Sequence, residues 1–137
     1  MPLPPLRPDG SLPPGRYQVA DVNEIFAAFP ASNARRQALN AALAKFVESV
    51  RRLSLGTAVV IDGSYITGTA EPEDIDVGLL TSGLGEIATL QQLSADGVDL
   101  IALDIFVETT RANFERWVRF FMADRTGNAR GVVIVTI

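Results

Sequence analysis

The sequence predicts a small α/β (α+β) protein in which helices pack on a short mixed sheet. Apolar residues recur at intervals of three and four in several segments, a spacing typical of amphipathic helices. Short β-branched runs bounded by glycine lie between these segments and are typical of buried strands. The chain has 137 residues, 47% of them hydrophobic, which is the usual size of one domain with a single core.

The beginning of the chain holds most of the eight prolines. Proline fixes φ and removes a backbone donor, so this segment is extended and not helical. We therefore predict a proline-rich arm over residues 1–15 and a single domain over residues 16–137. The arm is either a disordered tail or a segment that packs across the domain.

Two helices are predicted after the arm. Asp21 and Glu24 form a capping pair before a short helix that stops at Pro30. Ser32 is expected to cap a longer helix, which Gly56 ends. The longer helix has one apolar stripe: Leu39, Leu43, Phe46, Val50 and Leu53. The charged residues between the stripe positions are expected to face solvent: Arg35, Arg36, Glu48, Arg51 and Arg52.

The apolar period then changes to that of strands. Strands are predicted over residues 57–61, 75–80, 99–108 and 132–137, with a weak helix over 84–93. Ile87, Leu90 and Leu93 are expected on one side of that weak helix. Thr109 or Thr110 caps a last helix, whose rings at helical spacing are expected in the core: Phe114, Trp117 and Phe121. The buried strand residues are expected to be Val59, Ile61, Val77, Leu79, Ile101, Leu103 and Ile105.

The composition excludes several kinds of chemistry. The chain has no cysteine and no histidine, which rules out disulfides, thiolate nucleophiles, Cys/His zinc sites and Ser-His-Asp triads. Metals held by oxygen ligands alone are hard cations such as magnesium, calcium or manganese. With 12 basic and 16 acidic residues, bulk binding to nucleic acid is not expected. No apolar run is long enough to span a membrane and no secretory signal is evident, so we expect a cytoplasmic protein with no membrane association.

Carboxylates are therefore the candidate functional groups. Asp74 and Asp76 are two apart on a predicted strand, so they share a face, and their mutual repulsion favours a divalent cation between them. Asp104 lies between apolar neighbours on the third strand, where an acid is costly to bury unless it is paired or coordinated. If the third strand pairs with the second, the three carboxylates converge and form a metal site.

Gly63 and Ser64 follow the first strand and are the second part of the predicted site. Glycine lets the backbone approach a ligand closely, and a serine hydroxyl with nearby amides can hold a phosphate oxygen. Their neighbours leave alternatives open. Asp62 is either a further ligand or an acid in a turn. Tyr65 either stacks on a base or covers the core.

This order of motifs resembles the polymerase-beta-type nucleotidyltransferase superfamily, whose core is a short mixed sheet with helices on one side. The resemblance implies that Gly63 and Ser64 hold the nucleotide phosphates and that Asp74 and Asp76 bind metal. It implies that Asp104 is the third carboxylate, which helps to bind the catalytic metal and activates the acceptor hydroxyl. The implied cofactor is Mg²⁺ or Mn²⁺, and the implied substrate is a nucleoside triphosphate.

The chain also resembles a small bacterial family with this core. That likeness runs through LPPGRY, the arginine-bearing helix, DGS and RWVRFFMADRTGNARGVVIV, and so covers nearly the whole chain. The helical domain with which larger enzymes of the superfamily grip base or acceptor has no counterpart. The chain is in this respect similar to the minimal nucleotidyltransferases, some of which act as antitoxins that nucleotidylate a partner toxin.

Positive charge for a triphosphate must come mainly from arginine, because Lys45 is the single lysine. Arg125 and Arg130 flank the glycine turn before the last strand, and Arg119 lies on the final helix. Arg130 is the main nucleotide-binding candidate because it leads into a strand that can neighbour the site. For each of the three, a solvated surface arginine is the alternative.

We expect a minimal nucleotidyltransferase that moves a nucleoside monophosphate from a triphosphate to a hydroxyl on a protein, RNA or small molecule. The alternative is a non-enzymatic binding module, antitoxin-like or a scaffold, on the same fold. Both interpretations favour a protein partner, which in the first is the acceptor. A calcium-stabilised structural domain is the weakest interpretation, because the acids lie on separate strands and not in one loop.

Overall fold

Five strands and four helices form the part of the chain that the computed structural model describes, residues 3–123 and 126–137. The strands are β1 (Gly15–Val19), β2 (Gly56–Asp62), β3 (Ile75–Thr81), β4 (Leu103–Glu108) and β5 (Gly131–Thr136). The helices are α1 (Val22–Ala28), α2 (Ala34–Arg52), α3 (Glu86–Ala95) and α4 (Arg111–Phe121), with a short 3-10 helix over Ser64–Ile66. This is the predicted fold class.

The sheet is mixed, with strand order β1-β5-β2-β3-β4. β1 runs parallel to β5 and β3 runs parallel to β4, whereas β2 is antiparallel to both of its neighbours. As a result, the end of β2, the start of β3 and the start of β4 all lie at the same end of the sheet. Residues from three separate segments therefore meet at one end of the sheet.

Helices cover both faces of the sheet. The larger core packs α1, α2 and α3 against alternate strand residues such as Val59, Ile61 and Val77. On the opposite face, Val60 and Ile134 pack against α4. Both faces of the central strands are thus buried, which is why β2 is apolar at nearly every position. The resemblance implied helices on one side only, and the position of α4 departs from that.

Three boundaries differ from the prediction. Asn33, and not Ser32, caps α2 by accepting from the amide of Arg36. Ser54 adopts φ 53° after the end of α2 and takes the role expected of Gly56. Gly56 instead lies inside β2, where a Cβ would approach Leu80 O to 2.4 Å, so this position needs glycine for close strand contact.

The burial of two residues was also predicted wrongly. Ile101 is 93% exposed because β4 begins only at Leu103, and Asp99 holds the preceding residues in a turn by accepting from two amides. Arg36, expected to face solvent, is only 4% exposed.

The arm packs across the domain. Leu12 is 1% exposed, and its carbonyl accepts from the amide of Gly131 at the start of β5. Arg7 donates to Ala129 O at 2.9 Å. The arm leads directly into β1, an edge strand that was not predicted from the sequence. No helix among the described residues is both long and apolar enough to cross a membrane.

Candidate metal centre

Strand register places three aspartates in one row across the sheet. Asp62 on β2 is opposite Asp76 on β3, and Asp76 is in turn opposite Asp104 on β4. Partners in register point to the same face, so all three side chains lie on the face that α4 covers further along. Asp74 comes two residues before Asp76 and therefore shares that face.

Asp74, Asp76 and Asp104 form the carboxylate triad. Each offers one carboxylate oxygen, and these oxygens all lie within 4.8 Å of one another. Asp74 and Asp76 are half-buried and Asp104 is exposed. No described arginine or lysine forms an ion pair with any of the three. The charges of the three acids are therefore not neutralised by a direct ion pair with a basic side chain of the described residues.

The electrostatics of the triad reflect this crowding. The pKa of Asp76 is raised to about 6, first by burial and then by the negative charges of Asp74, Asp104 and Asp62, while Arg130 opposes these effects. Burial also raises the pKa of Asp74, with the charge of Asp104 as the second cause. The ionised form of the site is therefore disfavoured, as expected where like charges share a partly desolvated space.

Gly63 lies directly against the triad. Its φ is +92°, and a Cβ there would stand 2.9 Å from Oδ2 of Asp76. Glycine is therefore needed twice, for the left-handed backbone and for the close approach. The 3-10 helix that follows begins with Ser64, whose side chain is exposed next to this contact. The structure thus brings Gly63 and Ser64 to the edge of the triad.

Asp62 belongs to a pair with Arg130 and is not a member of the triad. Its side chain is 3% exposed, and Oδ2 accepts from Arg130 Nη2 at 2.8 Å. Arg130 Nε also donates to Phe121 O at the end of α4. The other oxygen, Asp62 Oδ1, is buried without a hydrogen-bond partner among the described residues. Burial raises the pKa of Asp62, and Arg130 opposes that shift.

The remaining sequence candidates are placed as follows. Arg130 lies close enough to the triad to lower the pKa of Asp76. Its Nε and Nη2 already donate hydrogen bonds to Phe121 O and Asp62 Oδ2. Arg119 is exposed on α4, and Arg125 lies outside the described residues. Tyr65 is fully buried and its hydroxyl donates to Asn40, so it belongs to the core and not to a base-stacking surface.

The pairing of Asp62 with Arg130 and the burial of Arg36 were not predicted from the sequence. Arg130 is 68 residues from Asp62 in sequence, so no local spacing indicates the pair. The one available signal was the apolar run before Asp62, since an acid at the end of a buried strand requires a partner. Nothing in the sequence indicates that Arg36 is buried, because it lies among other arginines on a helix.

The donor set of the triad fits a hard divalent cation. All the oxygens are carboxylate oxygens from adjacent segments, which is the ligand type that magnesium and manganese prefer. The triad oxygens all lie within 4.8 Å of one another, close enough for the three side chains to hold a metal ion together. A cation would also offset the repulsion between the acids, which adds to burial in raising the pKa of Asp76.

Comparison with known proteins gives a family but no function. The model described as "Family of unknown function (DUF6932)" matches residues 4–136, nearly the full length of the chain. Searches of curated proteins and of solved structures found no match.

Proposed function

The chain belongs to the family DUF6932, and we propose that it is a metal-dependent nucleotidyltransferase. It would transfer a nucleoside monophosphate from a nucleoside triphosphate to a hydroxyl group on a protein, RNA or small molecule. The observation that carries this proposal is the convergence of Asp74, Asp76 and Asp104 within 4.8 Å, against the backbone of Gly63. The reaction class is inferred from the resemblance of the motif order to that of the polymerase-beta-type nucleotidyltransferase superfamily.

The proposed reaction balances without a further co-reactant. The acceptor oxygen forms a bond to the α-phosphorus, and the bond from that phosphorus to the oxygen bridging the β-phosphate breaks. Diphosphate leaves with the electron pair of the broken bond. The proton of the acceptor hydroxyl passes to a carboxylate oxygen of Asp104, which is exposed and so can be reached by an acceptor.

Each part of the site has a role in this scheme. Asp74, Asp76 and Asp104 would hold Mg²⁺ or Mn²⁺, and Ser64 would hydrogen-bond a phosphate oxygen. When bound, the metal would supply positive charge to the phosphates in the transition state. Gly63 allows the backbone to pass directly against Asp76, where a Cβ would stand 2.9 Å from Oδ2. Most of the rate gain would come from positioning and charge neutralisation, since phosphoryl transfer needs little covalent help from a protein.

The environment of Arg130 refines its predicted role. Its contacts with Asp62 and Phe121 O hold the guanidinium at the end of α4, on the margin of the triad. In this position Arg130 would contribute positive charge to the site from a fixed place. Asp62 would act by holding Arg130 and not as a metal ligand.

Transfer can be tested with nucleotides labelled at a defined phosphate. Purified protein is incubated with Mn²⁺ or Mg²⁺, cell extract and each of the four triphosphates, labelled at either the α- or the γ-phosphate. The proposal predicts that α-label enters a macromolecule or small molecule and that γ-label does not. Chelation of the metal with EDTA should abolish the labelling.

Two variants distinguish the role of the triad carboxylates from a general effect of negative charge near the site. Asp76→Asn should abolish the labelling, because it removes a triad ligand. Glu73→Gln is the matched control: it removes one negative charge next to Asp74 and takes no oxygen from the triad, so it should label as the wild type does. Labelling from the γ-phosphate, or equal labelling by Asp76→Asn, would contradict the proposal. Metal binding without any labelling would favour the binding-module alternative.

A further inference from the structure

Arg36 has an unusual environment for a cation. It lies in the first turn of α2 and is only 4% exposed. No described carboxylate forms an ion pair with it. Burial lowers the pKa of Arg36 from its ordinary value. An isolated buried charge is costly, so the surroundings of Arg36 must compensate for the lost hydration.

The compensation comes from one loop. Arg36 Nη1 donates to Tyr65 O at 2.8 Å, and Nη2 donates to Thr67 O at 2.7 Å and to Thr69 O at 2.8 Å. Nε also donates to Thr69 O, at 3.3 Å. The guanidinium thus gathers three alternate carbonyls, and its planar fork allows one side chain to reach all of them.

Aromatic rings complete this environment. The guanidinium carbon lies 5.4 Å from the ring centroid of Tyr65 and 5.8 Å from that of Phe29. These are cation–π distances, and the rings keep water from the hydrogen bonds. The loop is therefore fixed from the side of α2.

The same loop is held on its other side by the arm. Gly68 donates its amide to Gly10 O at 2.8 Å, and Ser11 forms an isolated β-bridge with Thr67. Asn33 Nδ2 donates to Ala70 O at 2.7 Å, next to its capping bond at the start of α2. The loop between β2 and β3 is thus held by contacts from both α2 and the arm.

We propose that Arg36 is a positioning residue that holds the loop over residues 65–69, and through it Gly63 and Ser64, in a shape ready to receive a phosphate chain. The inference rests on the proposed function. The loop leaves β2 at Gly63, so holding residues 65–69 fixes the direction in which Gly63 and Ser64 leave the strand. Asp76 and Asp104 are paired in register on β3 and β4 and do not depend on Arg36 for that pairing.

The test compares two ligands that the proposal treats differently. Mn²⁺ alone reports on the triad, and Mn²⁺ with inorganic triphosphate reports on the loop without requiring knowledge of the base. Arg36→Lys keeps the charge but loses the fork, so it should weaken triphosphate binding by about tenfold or more while changing Mn²⁺ affinity less than about threefold. Arg35→Lys is the matched control on the same helix, because Arg35 is exposed, and should bind both as the wild type does.

Equal triphosphate affinity in Arg36→Lys and wild type would overturn the inference and leave the proposed function intact. Wild type that binds Mn²⁺ but no triphosphate would overturn both. If Arg36→Lys does not fold, Arg36→Gln replaces it, since a neutral amide donates to a carbonyl without burying a charge.

Should neither variant fold, hydrogen exchange on the wild type decides. The inference predicts that the amides of residues 66–69 are protected before ligand is added and change little with Mn²⁺ and triphosphate. Protection that arises only with the ligand would mean that the ligand orders the loop, and this would overturn the inference.

Discussion

Asp76 is the residue at which crowding of the triad is greatest. Its pKa is raised from 3.8 to about 6 by burial and by the neighbouring acids. The unfolded chain has no such crowding, so between about pH 4 and pH 6 the folded, metal-free protein binds more protons than the unfolded chain. The stability that this protonation provides is complete below that window and is lost as the pH rises through it.

The corresponding prediction concerns the metal-free protein. In EDTA, the free energy of unfolding measured with urea should fall as the pH rises from about 4 to about 6, and Asp76→Asn should reduce this fall. Part of the slope should remain, because the pKa values of Asp62 and Asp74 are raised as well. An unchanged slope in Asp76→Asn would show that Asp76 is not the crowded group.

Gly63 offers a second test at this scale. Gly63→Ala combines a φ of +92° with a Cβ 2.9 Å from Asp76 Oδ2, so it should destabilise the protein by about 1 kcal/mol or more and weaken Mn²⁺ binding. Gly83→Ala is the matched control, because φ there is +116° and nothing lies within 4 Å of the added Cβ. It should show the backbone cost alone. If both variants bind Mn²⁺ equally well, Gly63 is not part of the site.

The orientation of a side chain could be predicted where it depends only on the local sequence pattern. Asp74 and Asp76 share a face because strand residues alternate, and this required nothing beyond the sequence. The place of Asp104 depended on an assumed pairing of β3 with β4, which the register shows. Arg36 and Arg130 could not be placed, because their partners lie 29 to 33 and 68 residues away along the chain.

At the scale of elements, periodic segments were predicted well and irregular ones poorly. The central strands β2 and β3 are continuous apolar runs, since helices cover both of their faces. β1 is an edge strand with alternate residues exposed, and it pairs with the last strand of the chain, so its sequence carries little strand signal. β4 is shorter than predicted because the turn at Asp99 interrupts the apolar run before it.

The pair of Asp62 and Arg130 connects three elements, because it joins the end of β2 to the end of α4 and the start of β5. Arg130→Met should destabilise the protein by about 3–5 kcal/mol, since it leaves a buried carboxylate unpaired. Arg119→Met, at an exposed position on α4, should change stability by no more than about 0.5 kcal/mol. Urea denaturation compares the two. Equal effects would mean that the pair does not connect these elements.

At the scale of the whole molecule, the arm is part of the folded domain. Leu12 is fully buried against it, and Arg7 reaches the segment before β5. Leu12→Ala should therefore cost about 2–5 kcal/mol of stability. Leu3→Ala, at a half-buried position near the start of the arm, should cost less. Thermal unfolding gives both values. An unchanged melting temperature for Leu12→Ala would show that the arm does not contribute to the core.

The central claim is that Asp74, Asp76 and Asp104 bind a divalent cation together, and direct titration with Mn²⁺ followed by calorimetry tests it most directly. Wild type and Glu73→Gln should bind Mn²⁺ with the same affinity. Asp76→Asn should bind at least about tenfold more weakly, and the triple variant Asp74→Asn, Asp76→Asn, Asp104→Asn should not bind. The same Mn²⁺ affinity in wild type and in the triple variant would contradict the account.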